Sequence, residues 1–309
     1  MKLSNGRSGN PPFSLRTAHS EQHVNVRLSA TVNDTTSSLL CRAYLDPTTR
    51  LAIVLGTGIN AAIHLPITAL HPSKFDLRNV KPGPHDYHVL TNTELSMFGR
   101  NILPTSKWDD ELNAAHMVPD YQPLEYMIAG GYMGEITRRI IVDAVETAGL
   151  FDGELPPTLY APYSLDTKTI ASIQLDTSAD LLSTRTLLQK LHPSSQAPTA
   201  ADAQSVQRII TSISRRSVAF FAMAVHALTS IVQDLDVEAE SLDHITIGCD
   251  GSVINKYPQY MTSAQVTLDQ MREVENGGRK RVLLEETVDA SVLGAAVAGA
   301  LGALAVDAR

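Results

Sequence analysis

Hydrophobic and polar positions near the start of the chain first follow the two-residue period of a strand and then the period of a helix. Residues 24–32 alternate apolar and polar side chains and predict a half-buried strand. Residues 35–44 follow a polar cluster that can cap a helix, and they predict a short helix. The uninterrupted apolar run at residues 51–55 predicts a second strand, which ends at the Gly-Thr-Gly of residues 56–58. A strand followed directly by glycine is where an open α/β sheet places its ligand contacts.

Helical patterns dominate the rest of the chain. Residues 124–149 carry apolar side chains at helical spacing and predict one long amphipathic helix that ends at Gly149. Residues 202–234 predict a second long helix, which is apolar on nearly every side and is therefore expected to be buried. The remaining predicted elements are two short helices within 152–201, strands at 245–247 and 282–284, and a buried, closely packed Ala/Gly helix at 291–306.

One polar stretch interrupts this pattern. Residues 69–89 are rich in Pro, His and charged side chains, which predicts an exposed insertion or a long loop. His85 and His88 lie in this stretch at a spacing that does not suit a metal, so we expect both to be solvated and predict no metal site.

The composition is that of a folded, acidic protein. The chain has 309 residues, of which 43% are hydrophobic, and a formal net charge of −8. This acidity argues against nucleic acid as a partner, because binding to phosphate backbones needs a clustered basic surface. The only two cysteines, Cys41 and Cys249, lie far apart in the sequence, so a disulfide framework or a cysteine zinc site is not expected.

The domain plan and the location follow from the two ends of the chain. Residues 1–22 have no periodicity and predict an irregular lead-in, and residues 23–309 are expected to form one domain. Residues 1–20 lack the apolar core of a secretory signal, which favours a cytoplasmic protein, with a mitochondrial or nuclear location as alternatives. Residues 291–306 are shorter than the ~20 residues that a membrane span needs, so no span is expected.

Three short motifs can bind a ligand that carries phosphate. Asn33 and Asp34 follow the first predicted strand, residues 56–58 form a Gly-Thr-Gly turn, and residues 250–252 form an Asp-Gly-Ser turn. Glycines let backbone amides approach phosphate oxygens, neighbouring hydroxyls add donors, and a carboxylate beside them can act as a general base. Each motif also has a simpler interpretation as a helix cap or a turn.

Taken together, six blocks of the sequence resemble the hexokinase family, and they occur in the family's order. The blocks are SATVNDTTSSLLCRAYLDP, LAIVLGTGINAA, LTNTELSMFGR, PLEYMIAGGYMGEITRRII, ITIGCDGSVINKYPQY and LLEETVDASVLGAAVAGAL. Fungal hexokinases are the members that they resemble most closely. The resemblance implies an α/β fold of the actin-like ATPase (ribonuclease H-like) type, namely the large hexokinase lobe with a mixed sheet flanked by helices.

The resemblance also implies a hexose site and an activity. The activity is transfer of phosphate from ATP to the 6-hydroxyl of glucose, fructose or mannose, with Asp34 as the catalytic base. The hexose ligands that it implies are Asn33, Asp34, Asn60, Glu94 and Glu125. Without the resemblance, the two glutamates read more simply as surface carboxylates, and Asn33 and Asp34 read as helix caps.

The resemblance implies a nucleotide site as well, with Mg²⁺ delivered by ATP. Its residues are Thr57, Gly58, Gly130, Gly131, Gly251, Ser252, Lys256 and Ser291. One departure affects this site, since the family's Gly-Ser-Gly is Ala290-Ser291-Val292 in this chain. Side chains there restrict the approach of backbone to nucleotide, so we expect weakened ATP contact.

The family's small lobe has no counterpart among these blocks. No phosphate loop, sugar loop or Thr-Lys pair of the family type precedes Asn33. Three interpretations stay open: a weakened hexose kinase, a non-catalytic sugar or nucleotide sensor, and a truncated gene product. A large lobe alone is expected to expose an apolar surface, which predicts self-association or a partner that supplies the absent lobe.

Overall fold

The computed structural model of the chain describes residues 30–74, 87–274 and 280–307. The expected lead-in and most of the first predicted strand lie outside the described residues. The last part of that predicted strand, residues 30–32, has no regular structure. Asn33 follows with φ −69° and ψ 151° and caps the first helix of the described residues, α1 (Asp34–Leu45).

A mixed sheet, with five strands in the described part of the chain, forms the centre of the protein. The strands are β1 (Thr49–Leu55), β2 (Ile59–Pro66), β3 (His88–Asn92), β4 (His244–Asp250) and β5 (Arg281–Glu286). Their order across the sheet is β3-β2-β1-β4-β5. The β2 strand is antiparallel to β1 and β3, whereas β1, β4 and β5 run parallel. Strand β2 forms a hairpin with β1 that the sequence analysis did not predict.

Helices cover both faces of the sheet, which explains the continuous apolar run of β1. Leu51, Ile53 and Leu55 belong to the main core together with the longest helix. Ala52 points to the other face, where it packs with Ala62 and with Leu39 of α1. A strand that is buried on both faces loses the alternation of a half-exposed strand.

The helices after α1 fall into two groups along the chain. Those before β4 are α2 (Lys107–Ala115), α3 (Pro123–Ile128), α4 (Gly130–Ala148), α5 (Thr167–Gln174), α6 (Leu182–Leu191), α7 (Ala200–Leu235) and α8 (Val237–Glu240). Those after β4 are α9 (Ser252–Lys256), α10 (Tyr260–Val274) and α11 (Ala290–Asp307). The two short helices expected within 152–201 are present as α5 and α6, whereas α2 and α10 were not predicted.

The expected single helix over residues 124–149 is wrong, because it is broken at Ala129. This residue has φ −83° and ψ 155°, which is extended backbone and separates α3 from α4. The first amide of α4, that of Gly130, donates to the carbonyl of Gly56 at 2.8 Å. A hydrogen bond to the β1–β2 turn thus accompanies a break in the helix at a point where the apolar helical pattern of the sequence continues. Gly149 ends α4 as expected, with φ 71°.

Helix α7 is the core helix that the sequence predicts, with 36 residues instead of the expected 33-residue span. A capping box of Thr199 and Asp202 starts it. By length and composition it is the one helix among the described residues that is long and apolar enough to cross a membrane. In the fold, Val206, Phe221 and Val225 on this helix are fully buried in the main core.

The last helix, α11, is less buried than expected. Its Gly294 lies against the carbonyl of Ser37 in α1 so closely that a side chain has no room there. The other side of the helix faces outward, since Val292 is 68% exposed and Leu293 is 51% exposed. The Ala/Gly composition therefore serves one close helix contact and not complete burial.

The expected loop at 69–89 includes the start of β3, and the prediction that His88 is solvated is wrong. The His88 side chain is 11% exposed, and its Nε2 lies 3.0 Å from Asp236 Oδ1. Arg50 donates to the other oxygen of the same carboxylate at 3.0 Å. His85 lies outside the described residues.

Candidate functional site

The three predicted ligand motifs meet at one edge of the sheet. Strands β1 and β4 are parallel neighbours, with Val54 paired to Asp250, so the turns that follow them lie side by side. The closest approach is at Gly251, since a Cβ added there would lie 2.3 Å from the Leu55 carbonyl oxygen, and a Cβ added to Gly56 would lie 3.4 Å from the Ser252 amide nitrogen. The carboxyl ends of parallel strands are the usual place for ligands in α/β sheets.

The predicted glycines at this edge have a packing role. The amides of Gly130 and Gly131 donate to the carbonyls of Gly56 and Thr57 at 2.8 and 2.9 Å. An added Cβ on either α4 glycine would lie 2.8 Å from the same carbonyl oxygens. Both amides are therefore hydrogen-bonded to the turn and are not free to donate to a ligand.

Three polar side chains form a hydrogen-bonded network beside the turn. The amide nitrogen of Asn60 donates to Asn92 Oδ1 at 2.8 Å, and Asn92 donates to Glu94 Oε1 at 2.5 Å. The Asn60 oxygen accepts from the amide of Leu95 at 3.2 Å. Glu94 has φ 51° and ψ 46°, a left-handed conformation that is uncommon for a non-glycine residue. The structure thus brings two predicted hexose ligands, Asn60 and Glu94, into one network.

Glu125 reaches the same turn from the first turn of α3. Its Oε2 accepts from the amide of Ile59 at 3.0 Å, and the side chain lies against Gly58. Burial raises the pKa of Glu125 above its usual range, although the Ile59 amide and the charge of His116 partly oppose this effect. A half-buried carboxylate with few partners is a strong acceptor for ligand hydroxyls.

Asn33 and Asp34 lie at the start of α1. Asn33 Oδ1 accepts from the amides of Thr35 and Thr36 at 3.0 and 3.3 Å, as in the simpler interpretation of this residue as a cap. Asp34 is exposed, and its Oδ1 accepts from the Thr35 amide at 2.8 Å. Within the described part of the chain, neither residue is hydrogen-bonded to the Asn60 network or to Glu125.

The direction of α1 nevertheless places Asp34 over this edge. Only residues 46–48 connect α1 to β1, and α1 packs on β1, so the helix runs back along the strand. Leu39 contacts Ala52 near the middle of β1. Asp34 precedes Leu39 by about 7–8 Å of helix, in the direction of the β1–β2 turn. The N-terminus of α1 and the carboxyl end of β1 therefore lie at the same edge.

The residues predicted for the nucleotide are distributed around the neighbouring turn. Thr57 and Ser252 are exposed, and Gly251 has φ 114°, which a residue with a side chain rarely adopts. Lys256 is exposed at the end of α9. Ser291 lies in the first turn of α11, where its carbonyl accepts from the Ser37 hydroxyl at 2.6 Å. The structure brings Thr57, Gly251 and Ser252 together and leaves Lys256 and Ser291 on adjoining helices.

A possible metal-binding group lies elsewhere, where β3 meets α7 and α8. His88, Asp236 and Glu238 offer ligand atoms within 4.8 Å of one another. The guanidinium of Arg50 already approaches both carboxylates, at 3.0 and 3.9 Å. Burial acts to raise the pKa of Asp236, but His88 and Arg50 hold it below its usual value. The group is thus an ion-pair network centred on an arginine.

Two residues beside the site were missed by sequence reasoning. Asn92 links Asn60 to Glu94, and its place at the end of a strand just before Thr-Glu was the available signal. His116 contacts Tyr126, the neighbour of Glu125, at 3.0 Å between ring nitrogen and hydroxyl. No sequence signal marks His116, because six residues of irregular chain, 117–122, separate it from the helix that carries its partner.

Comparisons with known proteins agree on one family. A family model described as hexokinase matches residues 50–301. Hexokinase-1 of Schizosaccharomyces pombe is 31% identical over 284 residues, which cover 90% of this chain and 54% of that protein. The hexokinase of Emericella nidulans is 28% identical over 300 residues, which cover 96% of this chain and 58% of that protein.

A solved structure supports the same assignment. The hexokinase of Schistosoma mansoni in complex with glucose is 26% identical with a TM-score of 0.78, over 93% of this chain and 61% of that one. The chain thus spans little more than half the length of the proteins that it matches. The matched part corresponds to the large lobe, with an α/β actin-like ATPase fold and a mixed sheet flanked by helices. The chain belongs to the hexokinase family.

Proposed function

We propose that this chain binds a hexose and phosphorylates it at the 6-hydroxyl with ATP, using glucose, fructose or mannose as substrate. The observation that carries the proposal is the convergence of four groups at one sheet edge: the Asn60–Asn92–Glu94 network, Glu125, the β1–β2 turn and the start of α1. The glucose complex of the Schistosoma mansoni relative supports a sugar as the ligand.

The polar groups at this edge suit a sugar. A hexose presents a ring of hydroxyls, each of which can donate and accept a hydrogen bond. Glu94 and Glu125 provide carboxylate acceptors, and Asn60 provides an amide that is held by Asn92 and Leu95. Asn33 uses its oxygen as a cap, which leaves its NH₂ group as the part that can donate to a sugar oxygen.

Asp34 is the proposed general base. Its Oδ1 accepts from the Thr35 amide, and the carboxylate is exposed at a helix N-terminus, where negative charge is stabilised. Asp34 Oδ2 takes the proton of the 6-hydroxyl while that oxygen forms a bond to the γ-phosphorus of ATP. The bond between this phosphorus and the bridging oxygen breaks, and ADP leaves with the electron pair.

The residues around the second turn fit the phosphates of ATP. Thr57 and Ser252 are exposed on neighbouring turns, and Lys256 adds a positive charge on the adjoining helix. Hydroxyls and a lysine are suitable partners for phosphate oxygens. Mg²⁺ that arrives with ATP would neutralise the charge that develops on the phosphates.

A coupled assay for hexose 6-phosphate tests the proposal on the wild-type chain and on Asp34→Asn. Because a general base contributes about 10²–10⁴-fold, we expect Asp34→Asn to lose turnover by this factor and to keep glucose affinity in calorimetric titration. The control is Asp110→Asn, which removes another exposed carboxylate in a first helical turn, that of α2. Equal turnover in Asp34→Asn and the wild-type chain would refute Asp34 as the base.

A second candidate, a sugar sensor without turnover, is favoured by two features of the nucleotide side of the site. The first two amides of α4 are hydrogen-bonded to the turn, and Ala290 and Val292 stand where the family has glycines. Both features reduce the donors and the space for nucleotide. Glucose binding without Mg-ATP binding or turnover would identify the sensor, and binding of neither ligand would contradict both candidates.

A further inference from the structure

His116 lies in the irregular segment between α2 and α3, next to the part of the site that holds Glu125. Its Nδ1 lies 3.0 Å from the Tyr126 hydroxyl and 3.3 Å from the amide nitrogen of Val118. Its Nε2 lies 3.3 Å from the Tyr132 hydroxyl. One half-buried imidazole therefore contacts its own segment, α3 and α4.

The three rings form a compact cluster. The His116 ring centre is 4.4 Å from that of Tyr126 and 5.9 Å from that of Tyr132, and the two tyrosine rings meet edge-on at 5.1 Å. The Tyr126 hydroxyl has one proton, and its two acceptors within reach are the Val118 carbonyl at 3.1 Å and His116 Nδ1. The cluster crosses the break at Ala129, so it fixes α3 relative to α4 where the helix is interrupted.

We infer that His116 is a positioning residue for the hexose site, which holds α3, and with it the Glu125 side chain, in place through Tyr126 and Tyr132. The inference rests on the proposed function, because it gives Glu125 the role of a hexose ligand. Glu125 directly precedes Tyr126 in α3, so a shift of the tyrosine also shifts the carboxylate.

The hydrogen bonds of the imidazole support this role. The amide of Val118 donates to His116 Nδ1 at 3.3 Å, so the ring is held by its own segment as well as by the two tyrosines. Burial and the charge of Glu125 together raise the pKa of Tyr132 to about 12, so this tyrosine stays neutral near Glu125. The titratable groups that face this cluster are Glu125 and Tyr126 on α3, Tyr132 on α4, and Tyr121 and Tyr163 on loops. Asp120, on the same segment as His116, is paired with Arg100 at 2.8 Å.

The deciding experiment uses the full chain. Calorimetric titration at pH 7.5 measures the Kd for glucose and the Kd for Mg-ATP in the wild-type chain, His116→Gln and the control His71→Gln. His71 is an exposed histidine beyond the far end of β2. We expect a Kd for glucose about threefold or more weaker in His116→Gln, because Glu125 loses its fixed position, an unchanged Kd for Mg-ATP, and wild-type values in His71→Gln.

A second variant tests the contact without removing the imidazole. Tyr132→Phe removes one hydroxyl that contacts His116, and it is expected to weaken glucose binding as well, again without a change in the Kd for Mg-ATP. Thermal unfolding of each variant shows that it is folded.

The two proposals fail in different ways. A Kd for glucose in folded His116→Gln that matches the wild-type value overturns the inference about His116 and leaves the proposed function standing. Failure of the wild-type chain to bind glucose overturns the proposed function. Equal losses of affinity for glucose and for Mg-ATP in His116→Gln also contradict the positioning role, because they indicate a general disturbance of the fold.

Discussion

Glu125 has properties that favour binding over stability. Its carboxylate lies half-buried against Gly58, and burial raises its pKa. A carboxyl whose pKa is higher in the folded than in the unfolded protein binds more protons in the folded state. Above the pKa of the folded state, the ionised carboxylate therefore lowers the free energy of unfolding. This destabilisation disappears as the pH falls towards 4.5, the ordinary pKa of a glutamate.

A substitution of Glu125 separates its contribution to ligand binding from its effect on stability. In Glu125→Gln the amide oxygen can still accept from Ile59, and the buried charge is gone. We expect this variant to unfold at or above the wild-type temperature at pH 7.5, with the advantage shrinking towards pH 4.5. Glucose affinity should fall about tenfold or more, because a hydrogen bond to a charged acceptor is lost.

Thermal unfolding over this pH range and calorimetric titration with glucose check both parts. Glu94→Gln is the matched control, since Glu94 is exposed and belongs to the same network. It should weaken glucose binding without raising the unfolding temperature. A lower unfolding temperature for Glu125→Gln at pH 7.5 would show that the charge stabilises the fold.

At the scale of elements, the junction between the β1–β2 turn and α4 depends on the absence of side chains. A Cβ on Gly131 would lie 2.8 Å from the Thr57 carbonyl oxygen, and this atom belongs to backbone that cannot move freely. We expect Gly131→Ala to lower the free energy of unfolding by about 2–3 kcal/mol. Because the turn carries Thr57 and lies beside Glu125, ligand binding should weaken as well.

Urea unfolding of Gly131→Ala measures this effect, with Gly299→Ala as the control. Gly299 is also helical, in α11, and an added Cβ there meets nothing within 4 Å. Alanine favours a helix over glycine by about 0.5–1 kcal/mol, so this control should be slightly stabilised. Equal stability of the two variants would mean that the close approach at Gly131 is not needed.

How much the sequence predicts depends on whether its signals are local. The cores of β1, β4, β5, α1 and α7 follow from apolar periods and caps within each segment, and the six blocks predicted the family and the fold. The break at Ala129 does not follow, because its cause is a hydrogen bond from Gly130 to Gly56, far away in sequence. A helical period cannot reveal such a contact.

The candidate site likewise contains residues that the sequence predicted and residues that it did not. Asn60, Glu94 and Glu125 were predicted by resemblance, and the structure shows how the β1–β2 hairpin joins them. Asn92 and His116 were missed, since their partners are set by strand pairing and by the path of residues 116–122. The predictions that Gly130 and Gly131 contact nucleotide remain open, but their amides are already used.

At the scale of the whole molecule, the two ends of the sheet serve different purposes. One end carries the turns, the start of α1 and the hexose network. Towards the other end, His64 of β2 stacks on His88 of β3 with ring centres 4.7 Å apart, beside the Arg50–Asp236 ion pair. Burial, together with the charges of His88 and Arg50, lowers the pKa of His64 to about 4.

This histidine makes the stability of the molecule dependent on pH. A group whose pKa is lower in the folded protein binds fewer protons there, so stability rises with pH across the window between the two values. For His64 the window runs from about 4 to 6.5. When the pH falls from 7.5 to 5, we expect the free energy of unfolding to decrease by about 2 kcal/mol. The reason is that the unfolded chain protonates His64 over this range, whereas the folded chain keeps it neutral.

Urea unfolding of the wild-type chain, His64→Phe and His71→Gln at pH 7.5 and 5 isolates this contribution. Phenylalanine keeps a ring for the stack, and it replaces a buried Nδ1 that has no hydrogen-bond partner in the described residues. His64→Phe should therefore be about as stable as the wild-type chain at pH 7.5 and about 2 kcal/mol more stable at pH 5, whereas His71→Gln follows the wild-type chain. If all three proteins lose the same free energy of unfolding between these pH values, the acid sensitivity of the fold does not originate at His64.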